Sequence, residues 1–326
     1  MAPKLEYTHL VKRLLVQDPP AGLYREPRFW MEGKDLEGFK GQFSYGFIKQ
    51  EGPLHPTEGA LIHPYDECLI FAGIDNTNIR YLGAEVSIEL GEEREEHVFD
   101  RPCVVLIPKG TRHGPATVRK MEKPIIHYTI ALAPDYKATT IEPADLPPKS
   151  KGSKHAHLVK PLITVPAATG SGMGYEKGID AEGVMHPRSR KADEITDEQV
   201  GRIGPGNADH LVWLFGPNLE GMELNFTWGF YTQAGKWHRG GEAHAHPQEE
   251  ILVFVGIDPD NLDFMGAELE FGMGPNHERH IFNKPTVAIC PQGFPHLPQI
   301  TRWADKPFAF IVACMSAEHD SPWIEA

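Results

Sequence analysis

The sequence lacks the features that mark nucleic-acid-binding, membrane-spanning and disulfide-stabilised proteins. Its 326 residues include 32 Lys and Arg against 45 Asp and Glu. The resulting net charge of −13 disfavours nucleic acid and anionic membranes as partners, because phosphate binding needs a basic surface. No stretch approaches the roughly 18 apolar residues of a membrane span. The four cysteines are widely spaced within apolar runs and form no CxxC pattern, which excludes a zinc ribbon.

Two further absences narrow the fold and the compartment. The first residues, MAPKLE, contain no apolar signal core, and we therefore expect a cytoplasmic protein. Helical periodicity is nearly missing along the chain, whereas Gly and Pro are frequent, with 32 and 29 copies. The hydrophobic content of 40% with 24% charged residues is typical of a soluble globular protein.

An internal repeat divides the chain into two similar halves. A shift of 183 positions superposes residues 43–47 (FSYGF) on residues 226–230 (FTWGF), and no gap is needed from Trp30 to Pro124. Self-similarity over such a length indicates a duplicated domain. We predict an N-terminal domain over residues 1–150 and a C-terminal domain over residues 151–326.

A second, shorter repeated sequence locates an insertion. The sequence HLVK occurs at residues 9–12 and again at 157–160, an offset of 148. The difference between the two offsets places about 35 extra residues in the second half, within about 165–207. Long loops of this kind are often lids or binding loops; a solvated arm is the alternative. A short helix is predicted at 194–200, and the proline-rich segment 133–153 is predicted to link the halves.

Short apolar segments separated by turn residues predict antiparallel sandwiches or barrels in each half. The predicted strands of the first half are 43–50, 67–72, 84–90, 103–107 and 125–132. Their predicted copies in the second half are 226–233, 250–255, 267–271, 286–290 and 308–315.

Metal-ligand residue types are concentrated in the second half. His244 and His246 are one residue apart, Glu250 follows four positions later, and His296 follows a Pro-x-Gly turn. Alternate residues of a strand share a face, so both histidines can enter a barrel. We expect a turn at 247–249 and a returning strand from Glu250, antiparallel and beside the histidine pair. Three imidazoles and one carboxylate suit a divalent first-row transition metal, which leaves Fe, Mn, Ni, Co, Cu or Zn open.

These motifs resemble those of the cupin superfamily. The first cupin motif matches HAHPQEE at 244–250 with Gly256 after it, and the second matches PQGFPH at 291–296. The family's leading glycine is replaced by His238. With the duplication, the chain resembles a bicupin. The resemblance implies an all-β fold of two tandem double-stranded β-helix (jelly-roll) barrels, a metal between the two sheets, and a homodimer.

The first half carries an incomplete copy of the ligand set. His63, Glu67 and His113 stand at corresponding positions, but Leu61 replaces the remaining histidine. Three ligands can hold a metal, as a facial arrangement of two histidines and one carboxylate does. We expect this half to be structural or to bind metal weakly, with the chemistry in the second half.

Three other side chains are candidates to contact ligands or substrate from outside the ligand sets. His55 and His238 correspond to each other, and Gln248 lies within the first motif. A loop histidine that caps a strand is the alternative for the first two. No general base can be assigned from these residues.

The resemblance leads to three functional hypotheses about a small-molecule substrate. The first is a metal-dependent enzyme acting on a small oxygenated organic acid or diketone-like compound. A dioxygenase is expected before a decarboxylase, lyase or isomerase, and no segment matches the N-terminal lid motif expected of oxalate decarboxylases. The second hypothesis is a non-catalytic metal- or ligand-binding bicupin. A purely structural barrel is the third and requires four coincidental ligands.

Overall fold

The protein is described by a computed structural model over residues 5–164, 179–185, 208–237, 243–320 and 323–324. These residues form β-strands and short 3-10 helices, and none of them lies in an α-helix. Within the same ranges, no helix has the length and apolar character needed to cross a membrane. The predicted all-β class is confirmed.

The strands are numbered along the chain. The first fourteen are β1 (Val11–Arg13), β2 (Val16–Gln17), β3 (Arg28–Met31), β4 (Gln42–Ile48), β5 (Gly52–Pro53), β6 (Ala60–Ile62), β7 (Glu67–Gly73), β8 (Ala84–Leu90), β9 (Glu95–Phe99), β10 (Cys103–Ile107), β11 (Arg112–Met121), β12 (Ile125–Ala131), β13 (Thr139–Ile141) and β14 (Val159–Pro161). The later strands are β15 (His210–Leu214), β16 (Asn225–Tyr231), β17 (Gly235–Lys236), β18 (Ala243–His244), β19 (Glu250–Gly256), β20 (Ala267–Met273), β21 (Glu278–Phe282), β22 (Thr286–Cys290), β23 (His296–Ala304), β24 (Phe308–Cys314) and β25 (Trp323–Ile324). The 3-10 helices span Thr8–Leu10, Pro143–Asp145, Ala156–Leu158 and Gly216–Leu219.

The chain forms two compact units. Leu15–Leu162 form one unit, called the N-terminal barrel below. Met1–Leu14 and Ile163–Ala326 together form the other, called the C-terminal barrel. The chain therefore divides after Leu14 and after Leu162, whereas the sequence predicts a single boundary at residue 150. The difference arises because each barrel includes a strand from the start of the other half.

Each barrel consists of two antiparallel sheets. Those of the N-terminal barrel have the strand orders β14-β10-β7-β12-β4-β3-β2 and β13-β6-β11-β8-β9, with β5 beside β11. Those of the C-terminal barrel have the orders β1-β22-β19-β24-β16-β15 and β21-β20-β23-β18-β25, with β17 beside β23. The central strands β7, β12, β19 and β24 are buried along their whole length. The core of each barrel therefore excludes water from the side chains these strands carry.

The predicted strands are found with their ends within two residues of the predicted positions. The pattern of a Pro-x-Gly turn before His296 predicts a strand that carries this histidine inward, and β23 begins at His296. Its counterpart β11 is equally long, and the two strands contain Pro298 and Pro115. The register of each ladder shifts at the proline. A proline at such a bulge does not remove a ladder hydrogen bond, and the strand continues past it.

In each barrel, one edge strand comes from the start of the other half of the sequence. Strand β1 pairs with β22, with Val11 opposite Ala288. Strand β14 pairs with β10, with Val159 opposite Val105. The 183-residue shift carries Val105 to Ala288, so the two edge strands pair at equivalent positions. The two copies of HLVK therefore overlap these two edge strands.

A carboxylate fixes the segment before each edge strand. Glu278 accepts backbone N–H groups from Glu6 and Tyr7 at 2.5 and 2.8 Å. Its counterpart Glu95 accepts those of Lys154 and His155 at 3.0 and 2.8 Å. These hydrogen bonds involve an ionised acceptor and are stronger than neutral ones.

The predicted linker belongs to the N-terminal barrel. Within residues 133–153, β13 pairs with β6, so this segment forms part of the barrel wall. Most of the predicted insertion, including the helix predicted at 194–200, lies outside the described residues. Its described part, 179–185, contains bridges from Met185 to Ile179 and to Leu211.

Candidate metal centre

Four buried side chains of the C-terminal barrel converge on one point. They are the predicted ligands His244, His246, Glu250 and His296, none more than 9% exposed. Each offers a ligand atom within 4.8 Å of the others. The structure therefore brings together the whole ligand set expected from the first and second motifs.

The distances between these atoms fit a six-coordinate divalent ion. His244 Nε2 and His296 Nε2 are 2.9 Å apart. Glu250 Oε1 lies 3.1 Å from His246 Nε2 and 2.9 Å from His296 Nε2. Ligands at right angles on an ion with bonds of about 2.1 Å are separated by about 3.0 Å. The donor set and its spacing thus suit a first-row transition metal.

The turn at Pro247 and Gln248 carries the chain from one sheet to the other. His244 of β18 lies opposite His296 of β23, whereas Glu250 begins β19, which pairs with β22 and β24. The expectation that this strand returns beside the histidine pair is wrong. Pro247 prevents a continuous hairpin, and the carboxylate reaches the imidazoles from the facing sheet.

Backbone carbonyls orient two of the imidazoles. His246 Nδ1 lies 2.8 Å from the carbonyl oxygen of Asp320, and His296 Nδ1 lies 3.1 Å from that of Phe294. Because a carbonyl oxygen only accepts, each Nδ1 carries a proton, and each Nε2 is the atom left to bind a metal. Such outer hydrogen bonds fix the ring and increase the basicity of a ligand.

Without metal, the centre holds a buried ion pair. Burial alone would lower the pKa of His246, but the charge and hydrogen bond of Glu250 and the Asp320 carbonyl raise it above its usual value. Burial would raise the pKa of Glu250, but His246 and His296 hold it well below its usual range. The raised pKa of His246 thus favours the imidazolium form, with a proton at the atom where a metal would bind.

Two side chains outside the motifs also lie at this centre. The His319 ring is 4.7 Å from the His246 ring, and Cys314 lies opposite Glu250 in the sheet. Glu250, Cys314 and His319 offer ligand atoms within 4.8 Å of one another. Extending the 183-residue shift past Pro124 would have aligned His319 with Tyr136, which is the signal that could have found it.

Comparison with known proteins identifies the architecture. No family model and no curated protein matches the sequence. The structure of oxalate decarboxylase from Bacillus subtilis at pH 4.6 matches with a TM-score of 0.54 at 10% identity, covering 96% of this chain and 78% of that chain. The formate complex of Lactobacillus farciminis oxalate decarboxylase matches with a TM-score of 0.55 at 11% identity, covering 96% and 88%. The chain has the fold of these oxalate decarboxylases, two tandem barrels of antiparallel strands.

At such low identity the likeness establishes the bicupin fold alone, since one fold supports many reactions. The dioxygenase expectation gains no support from these structures and stays a prediction.

The N-terminal barrel holds the incomplete ligand set. His63, Glu67 and His113 are buried and offer ligand atoms within 4.8 Å of one another. His63 Nε2 lies 3.3 Å from Glu67 Oε2. Leu61 lies opposite His113 in the sheet, in the position that His244 takes in the other barrel. The set therefore has two imidazoles and one carboxylate.

The environment of this set differs from that of the complete one. Burial raises the pKa of Glu67 to about 8, although the charge of Arg28 opposes this. Burial also lowers the pKa of His113 to about 3. The set is therefore neutral near pH 7, without the ion pair of the other barrel. The His63 Nδ1 still contacts a carbonyl, that of Lys137, at 2.8 Å.

A cavity of about 460 Å³ adjoins this set. Aromatic and imidazole rings make up much of its lining: Tyr24, Trp30, His55, His127 and Tyr136. This space lies beside the ligand set that lacks one imidazole.

Three residues were predicted to contact ligands or substrate from outside the ligand sets: His55, Gln248 and His238. His55 lines that cavity, and its Nδ1 accepts the backbone N–H of Tyr24 at 3.4 Å. Burial lowers the pKa of His55 to about 4, so the ring is neutral. Gln248 is half-buried, and no hydrogen bond within the described ranges joins it to a ligand. His238 lies outside the described residues.

Proposed function

We propose that this bicupin is a metal-dependent enzyme that removes carbon dioxide from a small organic acid at the C-terminal centre. The convergence of His244, His246, Glu250 and His296 within 4.8 Å carries the proposal. A divalent metal held there supplies a Lewis acid for a carboxylate oxygen. The buried setting supports this role, because electrostatic interactions are stronger where water is excluded.

Decarboxylation needs a proton but no oxidant. The bond between the carboxyl carbon and its neighbour breaks, carbon dioxide leaves, and the remaining carbon keeps the electron pair and takes a proton. His319 lies beside ligand His246 and in edge contact with Trp213, at 4.6 Å between ring centroids. We assign His319 the role of holding that proton.

The comparisons favour this reaction over the dioxygenase expected from the sequence, since both structures described above are oxalate decarboxylases. The missing lid motif disfavours oxalate itself as the substrate. A dioxygenase is the second candidate, because three imidazoles and a carboxylate also suit Fe(II). A non-catalytic bicupin is the third.

The test measures carbon dioxide release and oxygen uptake in parallel. Protein loaded anaerobically with Mn(II) or Fe(II) is supplied with short mono- and dicarboxylic acids, keto acids and diketones. Carbon dioxide release without oxygen uptake is expected. Oxygen uptake matched to product would instead establish the dioxygenase, and inertness with each metal would favour the binding protein.

His319→Tyr separates proton transfer from metal binding. Tyrosine is the residue at the equivalent position, where Tyr136 lies beside Trp30 at 5.5 Å between ring centroids. We expect the variant to retain metal and to lose about 10²- to 10⁴-fold in kcat, the usual contribution of a positioned acid or base. An unchanged kcat would remove His319 from the mechanism without affecting the metal assignment.

A further inference from the structure

The N-terminal barrel buries a guanidinium that makes no ion pair. Glu67 interacts with it electrostatically from beyond ion-pair distance but is mostly protonated near pH 7, because burial raises its pKa to about 8. Arg28 is 3% exposed, and its Nη2 donates to the carbonyl oxygen of His127 at 2.8 Å. Its Nε–H has no hydrogen-bond acceptor. Within the described ranges, no carboxylate lies within ion-pair distance of Arg28. Burying an ion without a partner of opposite charge costs several kcal/mol. An anion that binds beside Arg28 would explain why a charged residue is buried there.

An aromatic ring supports the guanidinium without neutralising it. Arg28 Cζ lies 3.6 Å from the ring centroid of Tyr24, whose hydroxyl is 3.1 Å from His127 Nε2. Burial raises the pKa of Tyr24 to about 12 despite the nearby arginine. The phenol therefore stays uncharged, and the planar cation is held in place with its positive charge intact.

The C-terminal barrel shows that the fold does not require this charge. The repeat aligns Arg28 with Leu211, which is fully buried. Each side chain crosses a glycine of the neighbouring strand. An added Cβ would lie 2.9 Å from Arg28 Cβ at Gly46 and 2.6 Å from Leu211 Cδ1 at Gly229. The same space accepts an apolar residue in one barrel and a cation in the other.

Arg28 lines a partly open cavity. Apolar side chains contribute much of the lining, among them Phe47, Ile48 and Leu54. The other charged residues of the lining are Arg25, Lys49 and Glu26. Cations thus outnumber anions, and an apolar body could pack beside the buried charge.

We propose that this cavity binds a small organic carboxylate with an apolar body, its carboxylate paired with Arg28. The planar guanidinium matches a carboxylate with two parallel hydrogen bonds. The bound anion would supply both the missing acceptors and the missing countercharge. The site belongs to the N-terminal barrel, so it does not depend on the reaction assigned to the C-terminal centre.

Calorimetric titration of the full chain with benzoate tests the proposal. Wild type is expected to bind benzoate, and Arg28→Leu, which copies Leu211, is expected to weaken binding at least tenfold. Arg28→Lys keeps the positive charge but cannot form the two parallel hydrogen bonds of the guanidinium, and it is expected to bind benzoate with intermediate affinity. Neutral benzamide is expected to bind wild type at least tenfold more weakly than benzoate.

Three results would overturn the proposal: equal benzoate affinity in wild type and Arg28→Leu, equal binding of benzamide and benzoate, or no benzoate binding by wild type at millimolar concentrations. Tighter binding of phenyl phosphate than of benzoate would overturn the carboxylate assignment. Benzoate bound at the C-terminal centre is distinguishable, because Arg28→Leu leaves it unchanged and His296→Ala removes it.

Thermal unfolding separates ligand binding from a structural role. Without ligand, Arg28→Leu is expected to melt at or above the wild-type temperature, since it removes an uncompensated buried charge. Benzoate is expected to raise the melting temperature of wild type and not that of the variant. A variant that melts well below wild type would mark Arg28 as structural. In that case the benzoate and benzamide affinities of wild type still decide whether an anion binds.

Discussion

Leu61 and His244 occupy the same position in the two barrels, each opposite the last histidine of its ligand set. Leu61 lies opposite His113, and His244 lies opposite His296. The same backbone frame therefore holds either an apolar side chain or a ligand. This makes each barrel a folding control for substitutions in the other.

The first prediction exchanges these two residues. His244→Leu should fold, since leucine is buried in the equivalent position, and should weaken metal binding by more than the roughly 10- to 100-fold lost with an outer-shell partner. Leu61→His should strengthen metal binding in the N-terminal barrel. Elemental analysis and calorimetry with Mn(II) report both effects. A His244→Leu protein with full metal content would contradict the ligand assignment.

The second prediction concerns pH and the N-terminal barrel. A metal must displace the proton of Glu67, whose pKa is raised by burial to about 8. Affinity should therefore fall about tenfold for each pH unit below pH 8. The imidazole of His113, with a pKa of about 3, does not compete above pH 5. Mn(II) titrations between pH 6 and 9 measure this slope in a background that carries both His246→Ala and His296→Ala, which leaves the other site with one imidazole and one carboxylate.

The same raised pKa fixes the sign of a stability change. A carboxyl group whose folded pKa exceeds its unfolded value stabilises the folded state fully below the unfolded value. This contribution is lost as the pH rises through the folded value. The metal-free N-terminal barrel should therefore be less stable at pH 9 than at pH 6. Glu67→Gln should reduce that difference, and a profile unchanged by this substitution would argue against a protonated Glu67.

The ligands themselves could be predicted from the sequence because their spacing lies within short motifs. The repeat then predicted two barrels and the position of nearly every central strand. The facing arrangement of β18 and β19 could not be predicted, since a turn after Pro247 can lead to the same sheet or to the opposite one. The carbonyl of Asp320, which orients His246, comes from a remote segment that no motif marks. Nor does local sequence indicate that Arg28 is buried.

The third prediction concerns proton release at the C-terminal centre. The pKa of His246 is raised chiefly by Glu250, against the effect of burial. At pH 6.5, close to the usual imidazole value, the ring is therefore mostly protonated. Metal binding should release about one proton per site there, and fewer as the pH rises through the raised pKa. Calorimetry in buffers of different ionisation enthalpy counts these protons, and no release at pH 6.5 would contradict the buried ion pair.

The fourth prediction compares the carboxylates that fix the edge segments. Glu278→Ala removes the acceptor of two backbone N–H groups and should cost about 1–3 kcal/mol. Hydrogen exchange should accelerate in β1 and β22. Glu95→Ala is the matched variant and should accelerate exchange in β14 and β10 instead. Equal acceleration in both pairs of strands would contradict a local role for each carboxylate.

The pairing of β1 with β22 also bears on the order of events during synthesis. Val11 and Ala288 are partners, yet the ribosome adds them roughly 280 residues apart, an interval on the order of tens of seconds at typical translation rates. Residues 15–162 contain all strands of the N-terminal barrel and can fold within that interval. The early strand β1 of the nascent chain therefore has no partner until β22, at Thr286–Cys290, has been synthesised.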